Sequence, residues 1–452
     1  MASPCQQNSG THLCIFCKLW GKVVQFSLKL KKLGEEDPRR IVHSFKVGLA
    51  ITSVSLFYYF KPLYDGFGVA AMWAVLTVVV VFEFSVGATL GKGFNRVLAT
   101  LVAGALGVGT HCIATLSGES REPLLLALFV FIIAAVVTFL RFFPEMKARY
   151  DYGLMIFILT FSLVSVSAYR DDEVIDLALT RLNAIMIGTF TTVVICILIR
   201  PVWIGVEFHK LIAGNLEKLG NFLDGFADEH FLVSEKVCNS KDKSFLEGYK
   251  SVLTSKSNEE TMAHLARWEP GHGRFRLRHP WTQYLKVGNI ARQCAYKIET
   301  LNSYLRSEIQ TPQEDRSKIN EPCKIISSEC GKALKKLAST IRKMEKTSDL
   351  AELHIANSKV AAENLKTILN AGPWKDSNPL EIMPAATVAS LLLEVISCTE
   401  KAVEAVHELE SLAHFKIPEQ RLTPENQPES LAENQKDINA THDHLVTITM
   451  DG

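Results

Sequence analysis

Charged side chains lie inside long apolar stretches in the first half of this chain of 452 residues. Arg181 is the sharpest case, because it lies more than two helical turns after Asp171 and Asp172, which are suited to cap a helix over 177–199. A guanidinium at that depth in an apolar segment must face protein, water or an anion. Two interpretations stay open, an anion-attracting role and a structural ion pair with a carboxylate such as Asp176.

Further basic residues flank the apolar segments. Lys92 and Arg96 lie at the start of the third segment, Lys147 and Arg149 at the start of the fifth, and Arg170 at its far end. A bias of basic residues towards the cytosol would account for the first four. The alternative is a vestibule of Lys and Arg that concentrates anions at the mouth of a pore. No chain of acidic residues crosses the segments, so the charges together favour an anion path over proton-coupled transport.

The sequence offers no catalytic or cofactor-binding pattern. It has no P-loop, HExxH, GxSxG or dinucleotide fingerprint, so we do not expect an enzyme. Cys14 and Cys17 form a CxxC without the second ligand pair that a zinc site needs, and no cofactor is predicted. The formal net charge of +1 gives no reason to expect nucleic-acid binding.

The elements that must hold these charges are apolar helices. A helix needs about 20 apolar residues to cross the hydrocarbon core of a bilayer. We predict six spans, bounded by charge or by Pro and Gly, at 44–60, 67–84, 97–116, 123–142, 152–168 and 177–199. The runs 75–81 and 124–140 are apolar on every face, which a water-soluble helical protein would find hard to bury.

The distribution of Lys and Arg predicts the orientation of the spans. Basic residues are concentrated before the first span and in the second and fourth connections, whereas the fifth connection is acidic. Because Lys and Arg are enriched on the cytosolic side, both termini are expected in the cytosol.

The second half of the chain is typical of a helical bundle, with helices predicted near 204–231, 243–267, 281–307, 322–346, 350–371 and 380–413. The predicted fold class is therefore all-α, a polytopic membrane protein with six transmembrane helices and a C-terminal cytosolic helical bundle. The predicted domains are a cytosolic N-terminal segment (1–43), a membrane domain (44–203), a cytosolic domain (204–414) and a disordered tail (415–452).

One loop of the second half combines basic and aromatic residues. Arg274, Arg276 and Arg278 alternate with Phe275 and Leu277, which predicts an extended piece with one basic and one apolar edge. It could bind a carboxylate or an anionic lipid. Alternatively it is a structural clasp, with the tryptophans at 268 and 281 packed between helices.

Several motifs together resemble the plant aluminium-activated malate transporter family. They are EDPRR (36–40), WAVLTVVVV (73–81), VGATL (86–90), GFNR (93–96), FLRF (139–142), YDYG (150–153), WEP (268–270) and LAHF (412–415). The resemblance covers about residues 36–416. It implies a homodimeric anion channel with six spans per subunit that passes malate and, variously, other carboxylates or inorganic anions.

The resemblance also implies roles for single residues. Arg170 and Arg181 match pore positions of the family. Asp65, Glu173 and Asp176 match outer carboxylates that are implicated in the aluminium response, and hard Al³⁺ favours such oxygen ligands.

We therefore expect an anion channel in the plasma membrane, or alternatively in the vacuolar membrane, that mainly releases malate from the cytosol. Its pore would use Arg181 and Arg170, and Lys92, Arg96, Lys147 and Arg149 would collect carboxylates. The main alternative is a proton-coupled carrier that exports aromatic or other organic acids. A membrane-anchored scaffold without transport activity is a third class.

Overall fold

The computed structural model describes residues 9–60, 71–118, 120–168, 174–231, 247–305, 313–346, 349–370 and 379–417. Within these ranges the chain is helical, apart from turns, short irregular stretches and two isolated β-bridges. The all-α class predicted from the sequence is confirmed.

In the first half of the chain the described residues form seven helices. They are α1 (Ser9–Glu36), α2 (Pro38–Tyr59), α3 (Ala71–Val81), α4 (Val86–Thr115), α5 (Glu122–Leu140), α6 (Pro144–Ala168) and α7 (Val174–Leu198). The helices α2 to α7 match the six predicted spans in order. The helical stretch of the second span is short, and residues 61–70 before it lie outside the described ranges.

Four of these helices are long and apolar enough to cross a membrane: α4, α5, Pro144–Ser167 of α6 and Ala178–Leu198 of α7. A shorter apolar helix, Met72–Val81, lies in α3. Together they make the chain a polytopic membrane protein. The stretch Met383–Ala413 is also long and apolar enough to cross a membrane, but its apolar side belongs to the core of the second half.

The third span begins much earlier than the sequence predicts, at Val86 instead of residue 97. Ser85 has an extended backbone, and its hydroxyl accepts a hydrogen bond from the amide of Ala88, which caps the helix. The Thr89 hydroxyl donates to the carbonyl of Glu83, which holds the short link from α3 in place. The glycine-containing stretch 87–96, predicted as a flank, is therefore part of α4.

Small residues let the membrane helices approach one another. A Cβ atom at Gly188 of α7 would lie 2.6 Å from the carbonyl oxygen of Ala74 in α3, and one at Gly93 of α4 would lie 2.8 Å from a methyl of Thr189. A Cβ atom at Gly107 would lie equally close to Val164 of α6. Such contacts are typical of membrane helices, which associate by close packing because lipid is as apolar as their side chains.

The second half contains the described helices α8 (Ile204–Phe231), α9 (Lys250–Leu253), α10 (Lys256–Ala266), α11 (Trp281–Leu305), α12 (Gln313–Lys343), α13 (Leu350–Asn370) and α14 (Pro379–Ala413). They share one apolar core, which includes Phe208, Leu216, Tyr284, Leu334 and Val406. The predicted helix 243–267 is instead two helices, α9 and α10, separated at Thr254 and Ser255.

We predict that Gly188→Ala destabilises the membrane half, because the added methyl meets backbone of α3 that cannot move aside. Overpacking of this kind costs roughly 1–3 kcal/mol. Gly104→Ala is the matched control, since no atom lies within 4 Å of a Cβ placed there. In thermal unfolding of the detergent-purified protein, Gly188→Ala should lower the Tm and Gly104→Ala should not. Equal Tm values for the two variants would contradict the α3–α7 contact.

Candidate functional site

Arg96 is buried where three membrane helices meet. Its side chain extends from α4, with the Nε donating to the hydroxyl of Thr77 in α3 at 3.1 Å and the Nη1 to the hydroxyl of Tyr152 in α6 at 3.3 Å. Only 3 % of the residue is exposed. The sequence analysis placed Arg96 at the inner start of the third span, and this position is corrected. Ten residues separate it from Val86, so it lies about 15 Å along the helix.

Lys92 lies one turn before Arg96 on the same helix and is half-exposed. It forms an ion pair with Glu83, and its Nζ lies 5.7 Å from the centre of the Tyr152 ring. Tyr152 therefore contacts both cations, Lys92 through its ring face and Arg96 through its hydroxyl. The nearby carboxylate leaves Lys92 partly neutralised, whereas Arg96 has only neutral partners among the described residues.

Arg181 lies on α7 with its guanidinium 5.1 Å from the centre of the Trp73 ring. Its Nε and Nη1 atoms are buried and have no hydrogen-bond partner in the described part of the chain. Among the described residues these two atoms make no contact with Asp176, the ion-pair partner considered in the sequence analysis, and Asp176 is exposed. Buried donors without an acceptor cost free energy, and an anion would supply the acceptor.

Arg96 and Arg181 contact neighbouring turns of the same helix, α3. Trp73, against Arg181, and Thr77, against Arg96, are four residues apart, and the Thr77 hydroxyl donates to the Trp73 carbonyl at 2.7 Å. Four residues of helix span about 6 Å. We call Lys92, Arg96 and Arg181 the cation ladder: Lys92 and Arg96 are one turn apart on α4, and Arg96 and Arg181 contact α3 residues that are one turn apart.

The other predicted site residues stand apart from the cation ladder. Lys147 and Arg149 lie in the first two turns of α6 and are exposed. Arg149 is near His264 of the second half, where burial first and this charge second lower the pKa of the histidine. Asp176 is in the first turn of α7. Arg170, Asp65 and Glu173 lie outside the described residues.

The structure also brings in residues that the sequence analysis did not select. Thr77, Trp73 and Tyr152 have no charge that would single them out in an apolar run, although the hydroxyl of a threonine inside a span is a polar signal. Lys46, near the start of the first predicted span, is only 2 % exposed. It donates to the carbonyl of Arg200 at the end of α7.

The loop after α10 connects the second half of the chain to the first turns of α4. The ring of Trp268 lies 5.4 Å from that of Phe94 and covers Gly91, both on α4. The carboxylate of Glu269 accepts hydrogen bonds from the amides of Ile204 at 2.6 Å and Gly205 at 3.0 Å, at the N-terminus of α8. Carboxylates are favourable there because the helix dipole is positive at that end.

The rest of this loop is a compact turn instead of the predicted extended ribbon. His272 and Phe275 form a β-bridge around Gly273, which has a φ of +55°. Phe275 is buried, whereas Leu277 is exposed, so the two do not share an apolar edge. The clasp interpretation holds for Trp281, which is buried in the core of the second half, but Trp268 contacts α4 in the first half.

Comparison with known proteins gives the family. The sequence model described as "Aluminium activated malate transporter" matches residues 31–374, which include all of the cation ladder and the Trp268–Glu269 contacts. This chain belongs to the aluminium-activated malate transporter family. It is 50% identical over 437 residues to "Aluminum-activated malate transporter 2" of Arabidopsis thaliana, covering 95% of this chain and 86% of that relative.

The similarity extends to more distant relatives within the same family. The chain is 44% identical over 403 residues to "Aluminum-activated malate transporter 1" of Triticum aestivum, with 87% of each protein covered. It is 41% identical over 442 residues to "Aluminum-activated malate transporter 10" of Arabidopsis thaliana. The family resemblance recognised from the motifs is confirmed.

We predict a pH-dependent stability term from Glu269. Burial raises the pKa of its carboxyl from 4.5 to about 7, against the opposing effect of the amide hydrogen bonds. Between these two pH values the unfolded chain has lost a proton that the folded chain keeps. The free energy of unfolding therefore falls as pH rises, by up to about 3 kcal/mol, and stays constant above about pH 7. Glu269→Gln should remove this slope, as measured by the difference in Tm between wild type and variant from pH 5 to pH 8.

Glu404→Gln serves as the control, because it removes an exposed carboxylate of α14 from the same half of the protein. A Tm difference between wild type and Glu269→Gln that stays constant across this pH range would refute the assignment.

Proposed function

We propose that this protein is an anion channel that conducts malate along the cation ladder. The observation that carries the proposal is Arg181, which presents two buried N–H donors without an acceptor in the described part of the chain, against the α3 turn next to the one that holds Arg96. A site that holds uncompensated positive charge in an apolar region attracts anions and repels cations.

Malate suits this spacing because it carries two carboxylates. A guanidinium binds a carboxylate through two parallel N–H donors. Arg96 has five N–H donors, of which Thr77 and Tyr152 engage two, so donors remain for a passing carboxylate. Each arginine can then bind one of the two carboxylates of malate. Malate can release one arginine while it still contacts the next, which favours passage along the cation ladder over tight binding at one site.

The remaining features of the proposal follow the family resemblance and the charge distribution. The exposed Lys147 and Arg149 would attract anions at the cytosolic mouth, and Arg170 would continue the path at the outer side. The channel would be a homodimer in the plasma membrane. Its driving force is the gradient together with about 2.3 kcal/mol per charge per 100 mV, which moves malate out of a negatively polarised cell.

We predict that Arg181→Gln and Arg96→Gln each reduce malate-carried inward current at least tenfold in voltage-clamped oocytes loaded with malate. The physical reason is loss of a buried positive charge from a narrow path. Arg121→Gln is the matched control, since Arg121 is an exposed residue of the connection between α4 and α5 and loses the same charge. Surface biotinylation normalises each current to the amount of protein at the membrane.

The same recordings distinguish the alternatives. Current that follows the malate gradient and voltage, and is unaffected by the proton gradient, supports a channel. Flux that requires a proton gradient would replace the channel with a proton-coupled carrier of organic acids. If wild-type protein reaches the surface and carries no flux, the scaffold hypothesis is favoured. If Arg121→Gln loses as much current as the two arginine variants, Arg181 and Arg96 have no specific role in conduction.

A milder change is expected from Tyr152→Phe. It removes the hydroxyl that accepts from Arg96 and keeps the ring that faces Lys92. Current should fall roughly two- to fivefold, which corresponds to about 0.4–1 kcal/mol, because this hydrogen bond is long at 3.3 Å and contributes at the lower end of the usual net range. The measurement is the same normalised malate current, and a complete loss of current would show that the hydroxyl has a larger role than positioning Arg96.

A further inference from the structure

Helix α1 carries two regular stripes of side chains. Trp20, Val23, Phe26, Leu30 and Leu33 recur at steps of three and four residues, which places them along one side of the helix. Lys22, Gln25, Lys29 and Lys32 follow the same spacing one residue earlier. One residue corresponds to about 100° of rotation, so the basic stripe runs beside the apolar stripe over residues 20–33.

Neither stripe is covered by the rest of the chain as the structure describes it. Every residue from Trp20 to Leu33 is exposed, and Trp20 and Phe26 are 64% and 61% accessible. The lysines of the basic stripe form no ion pair with a described residue, whereas Lys31, on another side of the helix, pairs with Glu35 at 3.8 Å. A contiguous apolar stripe of this kind is unfavourable in water and marks an interaction surface.

The connection to α2 places α1 at the membrane. Only Asp37 separates the two helices; its backbone is extended and its side chain caps α2. A Cβ atom at Gly34 would lie 2.9 Å from the side chain of Ile41, so the end of α1 is packed against the first turns of α2. Because α2 contains the first predicted span, α1 starts from the membrane side that the basic residues identify as cytosolic.

We propose that α1 lies in the cytosolic interface of the bilayer and binds anionic lipid headgroups. The apolar stripe enters the boundary between headgroups and acyl chains, and the lysine stems extend beside it to the lipid phosphates and carboxylates. A membrane surface is the partner that matches both stripes at once, because it offers an apolar layer and a negatively charged layer side by side.

The basic stripe makes the binding depend on lipid charge. Each lysine near an anionic surface increases binding roughly fivefold, so three lysines together contribute about a hundredfold. The apolar stripe alone gives weaker association with neutral lipid. This anchor would act whether or not the protein conducts malate, so its test does not depend on transport.

The experiment is hydrogen exchange of the full-length protein in nanodiscs of phosphatidylcholine alone or with one-fifth phosphatidylserine. We expect amides 20–33 to exchange at least tenfold more slowly in the discs that contain phosphatidylserine. The triple variant Lys22→Gln, Lys29→Gln, Lys32→Gln should lose this difference. The matched control, Lys256→Gln, Lys343→Gln, Lys401→Gln, removes three exposed lysines of the cytosolic half and should keep it.

Two outcomes would overturn the proposal. Exchange of α1 at the same rate in both lipids, in wild type and the triple variant alike, would mean that anionic headgroups are not its partner. A second copy of the chain is the other partner that could cover the stripes. Comparing discs that hold one copy with discs that hold two tests this, because protection that appears only with two copies would assign the stripes to a second subunit. Exchange elsewhere in the protein reports whether the triple variant is still folded.

Discussion

A guanidinium in the interior of a membrane protein must be held by polar groups, and the burial of Arg96 imposes this constraint on three helices at once. Thr77 of α3 and Tyr152 of α6 have to face α4 at one level, because they supply its acceptors. Gly188 and Gly93 let α7 pack closely against both α3 and α4, the helices that carry Thr77 and Arg96. The close packing of small residues and the burial of the Arg96 charge therefore involve the same helices.

The same constraint links the two halves of the chain. Trp268 of the loop after α10 covers the N-terminal turns of α4, just before Lys92 and Arg96. Glu269, the next residue, holds the first amides of α8, the helix that starts the cytosolic half. A displacement of this loop would change the environment of both helix starts. The second half of the chain is thus in direct physical contact with the helix that bears two cations of the ladder.

Lys46 gives a second example of a charge that organises its surroundings. Its ammonium group lies among apolar neighbours and donates to the Arg200 carbonyl, at the negative end of the α7 dipole. This contact ties the first membrane helix to the end of the last one. Arg200 itself has a φ of +40°, which ends α7 and directs the chain towards Trp203 and α8.

The sequence by itself determined the helical class, the order of the membrane helices and the family, and it selected Arg181 as a candidate, because apolar runs, charges within them and long motifs are local signals. Only the tertiary structure decided that Arg96 is buried, that Thr77 and Tyr152 hold it, and that Trp268 contacts α4 instead of the cytosolic core. Glycine-containing residues 87–96 resemble a connection in sequence, yet a single cap at Ser85 and contacts with the cytosolic loop make them helical. Such contacts join residues far apart in the chain, and no local pattern specifies them.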